Sequence, residues 1–292
     1  MVKISIIIPT LNEEQYLPKL LNSIKIQSFK DYEVIVADAG SKDKTKSIAK
    51  KFGAKVVKGG MPAVGRNYGA KFAKGEFLFF FDADVKIPKN FLKDAYEELE
   101  EKFIDLATCE FRPLSNLHID KVMHDFANIS IKLAQYSKPH APGFCIFTTK
   151  RLFDRVEGFD ETITLAEDHE FIKRASQHRP LKILNSVKLY VSIRRLRKEG
   201  RLILIGKYLH AEAYRILRGE LRNNEINYEF SDFKKNDKKF IERKLRKIES
   251  DIIRMNQEYN KMKNKLKDKP LRKSISKLSK KLKSIGQIVL KP

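Results

Sequence analysis

The chain reads as an α/β protein built on a mostly parallel, doubly wound sheet flanked by helices, with a helical extension at its C-terminal end. Three observations predict this. Strand-like and helix-periodic segments alternate from Lys3 to Lys102. The run Glu76–Phe81 (EFLFFF) is apolar after its single acid, too short for a membrane span and suited to a strand buried on both faces. Several of the strand-like segments end in polar residues: Thr10 and Asn12, Asp38, and Asp82 with Asp84. A parallel sheet gathers such ends on one rim, where open α/β sheets hold their ligands.

Lys3–Ile8 is β-rich and Pro9 ends it; Leu17, Leu20, Leu21 and Ile24 then fall on one helical face. Glu33–Ala37 is a second strand, closing at Asp38. The turn Ala39–Thr45 (AGSKDKT) opens a helix continued by Ile48, Ala49 and Phe52 and capped by Gly53. Ala54–Val57 is a short third strand, and Gly59, Gly60 and Pro62 break the chain before a helix carrying Arg66 and Asn67. After the strand that ends in Asp82 and Asp84, a helix begun by Pro88 runs to about Lys102. Asp105–Phe111 and Gly143–Thr148 read as further strands, His118–Tyr136 as an amphipathic helix and Lys150–Val156 as a short one. Gly158–Glu161 is a turn, Ala166–Ala175 (AEDHEFIKRA) a helix entered through Glu167 and Asp168, and Leu181–Ile193 one or two final strands.

With 42% hydrophobic and 33% charged residues over 292 positions, the chain can hold one good core plus an appendage. Its net charge of +23 is uneven: residues 231–292 carry 21 Lys and Arg against 7 Asp and Glu. A nucleic-acid-binding protein using this basic tail is therefore one alternative, disfavoured by the scarcity of interleaved aromatics and the lack of a base-reading motif. No run of 18 apolar residues and no cleavage-site pattern is present. The expectation is a cytoplasmic protein, peripheral on the cytoplasmic membrane face, neither secreted nor membrane-spanning. Cys109 and Cys145 lie in apolar surroundings and are expected as buried reduced thiols.

No GxGxxG follows the first strand and no Walker loop occurs, so a nucleotide must be held in another way. Two carboxylates one residue apart at a central strand end suggest a hard cation holding a phosphate, against the plainer reading of a polar strand end and turn. His118, His124 and Asp125 do not make a metal site by spacing, because histidines at i and i+6 leave the same helix face.

Taken together, IIIPTLNEEQYL, EVIVADAGSKDKT, GRNYGA, FFFDADV, GFDE and EDHEF, in this order, resemble the family 2 glycosyltransferases over residues 3–195. The resemblance implies the Rossmann-like GT-A fold, with residues 1–195 as the catalytic domain. It further implies metal-dependent transfer of one sugar, with inversion, from a nucleoside-diphosphate sugar to an acceptor hydroxyl on a glycan or a lipid-linked molecule. By the same resemblance, Pro9, Thr10, Glu13 and Asp38 line the base and ribose pocket, and Arg66 and Asn67 lie near the pyrophosphate. Asp84, with Asp82, would hold Mg2+ or Mn2+. Asp168 would be the general base and Glu167 the neighbour that orients it or meets the acceptor. Arg194 and Arg195 would close over the donor diphosphate. The family's VDDGSxDxT reads here as VADAGSKDKT, with Ala39 in place of an acid, and EDxDL reads as EDHEF, with Glu170 as the second acid. The Gln-x-x-Arg-Trp box of processive members cannot exist in a chain without Trp, which favours single-sugar transfer. A sugar nucleotidyltransferase is the other alternative, but IIIPTLNEE lacks the glycine-rich loop usual there.

Beyond the resemblance, residues 196–230 mix Leu202, Ile205, Leu209, Ile216 and Leu217 with Arg201, Lys207, Arg215 and Arg218. This basic amphipathic segment suits either a helix packed on the catalytic domain or one lying on an anionic membrane surface. In residues 231–292, Leu245, Ile248, Ile252, Met255, Tyr259, Met262 and Leu266 step alternately by three and four. After Pro270 a second such series runs from Leu271 to Val289. A lysine-rich helical hairpin or a self-associating coiled coil is expected, docking on anionic membrane near a lipid-linked acceptor.

Overall fold

In a computed structural model the described residues are 2–163 and 166–194, with 250, 253, 254, 257 and 258. Arg195, the basic segment 196–230 and, those isolated positions apart, the heptad region 231–292 lie outside them. The chain divides into two compact units, Met1–Arg112 with Lys138–Ser192, and Pro113–Ser137 with the residues from Ile193 onward.

The first unit begins with the expected alternation: β1 (Ile4–Thr10), α1 (Leu17–Lys25), β2 (Tyr32–Asp38), α2 (Thr45–Lys51), β3 (Lys55–Lys58), α3 (Pro62–Lys71) and β4 (Phe77–Phe80). A two-residue β5 (Val85–Lys86), α4 (Phe91–Glu101) and β6 (Leu106–Pro113) follow. After the excursion through the second unit come β7 (Ile146–Thr149), α6 (Lys150–Arg155), α7 (Glu167–Ala175) and β8 (Lys182–Val191). The strands form one sheet in the order β3-β2-β1-β4-β7-β6-β8-β5.

The α/β class stands, but the sheet is mixed. β1 pairs in parallel with β2 and β4, and β2 with β3, whereas β4–β7, β6–β7 and β5–β8 are antiparallel. A strand buried on both faces carries no sequence mark of its direction, so only the βαβ half was readable. Pro9 does not end β1 as expected. It lies beyond the last β1–β4 pair, Ile7 with Phe80, where a missing N–H costs that ladder nothing.

β4 is the centre of the core because its side chains pack in both directions. Phe79 and Phe81 meet Phe147, with ring centroids 4.6 and 6.0 Å away, and Phe81 also meets Phe91. Phe80, on the opposite face, packs on Phe153 and Phe159, and Phe159 stacks on Phe171 of α7 at 4.4 Å. Burying each phenyl ring is worth about 1.5–3 kcal/mol. The two-sided packing therefore fixes the height of β4, and with it the position of the two aspartates that follow.

Cys109 and Cys145 are buried free thiols with their sulfurs 3.4 Å apart. In the second unit, α5 (His118–Ala134) is preceded by Ser115, whose hydroxyl donates to Asp120 at 2.6 Å, and Met123 packs with Ile193. The His124 ring meets the Asp120 carbonyl at 2.7 Å. No helix among the described residues is long and apolar enough to cross a membrane.

The far end of α4 is tied to β8 by Glu98, which is 6% exposed. It accepts from the Asn185 and Ser186 N–H groups at 2.9 and 2.8 Å and from Lys102 at 2.6 Å. Burial alone raises its pKa, yet Lys102, Ser186 and Asn185 draw the carboxyl down to about 2. A depressed acid contributes stability that is full above its unfolded pKa and is lost as pH falls through the folded value. In urea melts, the stability gap between wild type and Glu98→Gln should therefore be full at about pH 5 and close toward about pH 2.

Candidate active site

The rim where β1, β2 and β4 end carries the candidate residues. On its β1–β2 side the two loops are stitched together. The Asn12 N–H donates to Ser41 Oγ and the Glu13 N–H to Thr45 Oγ1, both at 2.8 Å, while the Lys42 N–H donates to Asn12 Oδ1 at 2.9 Å. Asp38, only 5% exposed, organises this corner. Its Oδ1 accepts from the Gly40 and Ser41 N–H groups at 3.1 and 2.8 Å, and its Oδ2 from the Ser41 and Thr10 hydroxyls at 2.6 and 3.1 Å. A carboxylate offers about four acceptor positions. Four donors thus take up the acceptor capacity of Asp38. Thr10 is buried with it, while Pro9 and Glu13 are half-buried on the same edge.

On the β4 side, Asp82 and Asp84 follow the strand, both partly exposed. Asp82 Oδ1 is held by Arg66 Nη2 at 3.1 Å. Arg66, on α3, is 3% exposed and reaches across with Nη1 to Glu167 Oε1 at 2.6 Å. Its Cζ lies 5.4 Å from the centroid of the Phe159 ring. Asn67, the next residue, grips the backbone of Phe159 from both sides: its Nδ2 donates to the Phe159 carbonyl and its Oδ1 accepts the Phe159 N–H, each at 2.8 Å. Nδ2 also reaches Glu161 at 2.9 Å. Asn67 is thus engaged with the loop leading toward α7.

That loop delivers α7 through Ala166, whose φ of 64° is a left-handed conformation a non-glycine residue adopts at a cost. Glu167, Asp168 and Glu170 fill the first turn, where the helix dipole favours acids. Glu170 makes a two-pronged pair with Arg174, both bonds 2.7 Å, and Arg174 also donates to the carbonyls of Val156 and Gly158. Asp168 stands apart: Oδ2 accepts the Gly143 N–H at 2.6 Å and Oδ1 the His169 N–H at 2.8 Å. Burial pushes the Asp168 carboxyl above the ordinary aspartate range, against the pull of Arg66 and those two N–H groups. Burial, together with the nearby Asp168 charge, raises Glu167 too, opposed by its bond to Arg66.

The structure thus gathers Arg66, Asp82, Glu167 and Asp168 into one cluster, with Thr10 and Asp38 in a second corner of the same unit. Arg194 belongs to the second unit. Four contributors were missed in the sequence: Gly143, Ser41, Phe159 and Arg174. Ser41 and Phe159 sat inside recognised motifs, and Arg174 is four residues beyond Glu170 on one helix face, a readable spacing. Gly143 had no local signal.

As to a cation, the donor set is hard oxygen: Asp84, and the Oδ2 of Asp82, which lies outside the Arg66 pair. Mg2+ is commonly held by one or two carboxylates completed by substrate phosphates and water. These residues fit such an ion. Among the described residues no larger group of His, Cys, Asp or Glu is gathered as an all-protein metal cage would need.

An α/β sheet with acids gathered at the carboxyl ends of its strands has the layout of a ligand-binding rim. A sequence profile described as Glycosyl transferase family 2 matches residues 5–156, just over half the chain, and the chain belongs to that family. It is 30% identical over 190 residues to the poly(ribitol-phosphate) beta-N-acetylglucosaminyltransferase TarS of Staphylococcus aureus, a match covering 60% of this chain and 32% of TarS. The chain therefore spans about a third of the length of that relative. The crystal structure of a TarS fragment with UDP-GlcNAc superimposes with a TM-score of 0.55 at 26% identity, covering 75% of this chain and 68% of the other. A mannosyltransferase of Pyrobaculum calidifontis, solved with GDP-Man and Mn2+, gives 0.59 at 20% identity over 75% and 65% of the two chains, a likeness of fold.

Gly143 is fixed by the cluster. A Cβ built on it would lie 2.8 Å from Arg66 Cζ, and Arg66, held by two carboxylates, cannot retreat. Gly143→Ala should destabilise the protein by about 1–3 kcal/mol, the usual cost of overpacking, measured as a lower urea midpoint with unchanged slope.

Proposed function

We propose that the chain is an inverting, non-processive glycosyltransferase that moves one sugar from a nucleoside-diphosphate sugar to an acceptor hydroxyl. The observation that carries this reading is the convergence of Asp168 with the Asp82 side of the site through Arg66 and Gly143. A proton acceptor and a strand end suited to a phosphate-bound cation thereby share one cleft rim. Asp168 takes the proton of the acceptor hydroxyl as its oxygen attacks the anomeric carbon, opposite the departing diphosphate. Its two backbone N–H donors orient the carboxylate, and its raised pKa makes it a stronger base than an ordinary aspartate. Asp84 and Asp82 would hold Mg2+ or Mn2+, which when bound would supply Lewis-acid stabilisation of charge on the leaving diphosphate. The corner of Pro9, Thr10, Glu13 and Asp38 receives the nucleoside.

The donors bound by the structural neighbours, UDP-GlcNAc and GDP-Man, are the first to try. Relatives act on a phosphate polymer, in TarS, and on a diphospho-undecaprenol-linked glycan, in a Campylobacter jejuni glucosyltransferase 35% identical over 113 residues. An acceptor of either kind is compatible with this reading.

In a thermal-shift panel of UDP, GDP, dTDP and CMP with and without Mn2+, one nucleotide at 100 times its dissociation constant should stabilise by about 2.7 kcal/mol. Asp84→Ala should remove the Mn2+-dependent part, and Asp168→Asn should keep donor binding and lose transfer. No shift with any nucleotide would sink the reading.

We also propose that the lysine-rich region 231–292 docks the enzyme on anionic membrane, where a lipid-linked acceptor would reside. Vesicles containing anionic lipid should retain the full chain more strongly than one ending at Phe230, and equal retention would rule this out.

A further inference from the structure

An arginine near a diphosphate site is ordinarily assigned to the phosphates. The surroundings of Arg66 argue otherwise. Its side chain is 4% exposed, and both terminal nitrogens are already given to carboxylates, Nη1 to Glu167 at 2.6 Å and Nη2 to Asp82 at 3.1 Å. Its Nε is buried and finds no acceptor among the described residues. The Phe159 ring packs against it, fixed in turn by the Asn67 grip on the Phe159 backbone. The backbone of Gly143 approaches so closely that no side chain fits between them. A guanidinium enclosed in this way is not presented to a ligand. It instead bonds to both Asp82, just past β4, and Glu167, at the start of α7, which lie 85 positions apart in the chain.

We infer that Arg66 is a positioning residue and not a donor ligand: it locks Asp82 to Glu167 and so sets where Asp168 stands, with Glu167 held out of proton transfer. This inference rests on the glycosyltransferase reading and assigns roles within its site. The lock works in three ways. Nη1 pairs with Glu167 Oε1, so the Glu167 carboxylate is committed to neutralising the guanidinium. The same bond fixes the first turn of α7, on which Asp168 is the next residue. The close approach to Gly143 places the N–H that holds Asp168 Oδ2. Lysine keeps the charge but is a point donor that cannot serve two carboxylates in fixed planar geometry.

The test uses the full chain with UDP-GlcNAc and GDP-mannose as donors. It compares Arg66→Lys, Arg66→Gln, Glu167→Gln and the Arg66→Gln/Glu167→Gln double variant, each checked for a cooperative melt. Donor dissociation constants come from calorimetry, and kcat from release of nucleoside diphosphate. Arg66→Lys should bind donor within about threefold of wild type while kcat falls on the order of 10²-fold, the loss expected of a misplaced catalytic group. The double variant should be no slower than Arg66→Gln alone, because both changes break one lock. Should Arg66→Gln not fold, the Lys variant alone still separates the two roles. A weakened donor affinity that accounts for the whole loss, with kcat retained, would overturn the inference and make Arg66 a phosphate ligand. Strictly additive losses in the double variant would also overturn it. Wild type that binds and cleaves neither donor would instead count against the glycosyltransferase reading itself, an outcome distinct from either of these.

Discussion

The buried guanidinium of Arg66 is the constraint on which the site depends. A charge taken out of water is tolerated only when it is paired, and removing one partner of a buried pair typically costs about 3–5 kcal/mol. Arg66 has two carboxylate partners at bonding distance, so α3, the end of β4 and the start of α7 can meet only in the arrangement that supplies both. The pairing does not by itself favour folding over an apolar alternative. What it does is disfavour other placements of Asp82 and Glu167, each of which would cost the buried Arg66 one of its two partners.

The rest of the architecture serves that meeting point. The two-sided phenylalanine packing of β4 sets the height at which Asp82 emerges. Phe159 joins the same cluster and carries the α6–α7 loop with it, so the core and the loop are one packing problem. Asn67 and Arg174 tie this loop from two directions, one from α3 and one from within α7. Ala166, at the entry to α7, stands in a left-handed conformation that is costly for a residue other than glycine. On the far side of β1, Asp38 plays a comparable part, its carboxylate organising the turn after β2 and bonding to Thr10 on the neighbouring strand. The departure at Ala39 sits beside this closed arrangement, and its N–H is spent on the Thr10 carbonyl at 2.8 Å.

The positions of much of the candidate site were legible because its residues stand at element ends. Asp38, Asp82 and Asp84 follow apolar strands, and Glu167 and Asp168 open a helix, positions that local pattern identifies and that motif order reinforces. The roles of Arg66 and Asn67 were not legible. In sequence they are a polar pair on a short helix; in space Arg66 bonds to a residue 101 positions away and Asn67 to one 92 away. Neither separation leaves a local mark. The same holds for Gly143, whose need for a bare backbone comes entirely from the guanidinium lying against it.

By itself the sequence determined the βαβ alternation of the first half, the doubly buried character of β4 and the set of acids at its rim. Strand and helix periodicity, and the polarity of element ends, are properties of neighbours along the chain. Only the tertiary structure decided that the second half of the sheet runs antiparallel, that Asn67 clamps a loop, and that Arg66 is enclosed by two carboxylates. Those outcomes follow from which buried charges and apolar faces find each other across the fold, and no window of sequence contains both halves of such a contact.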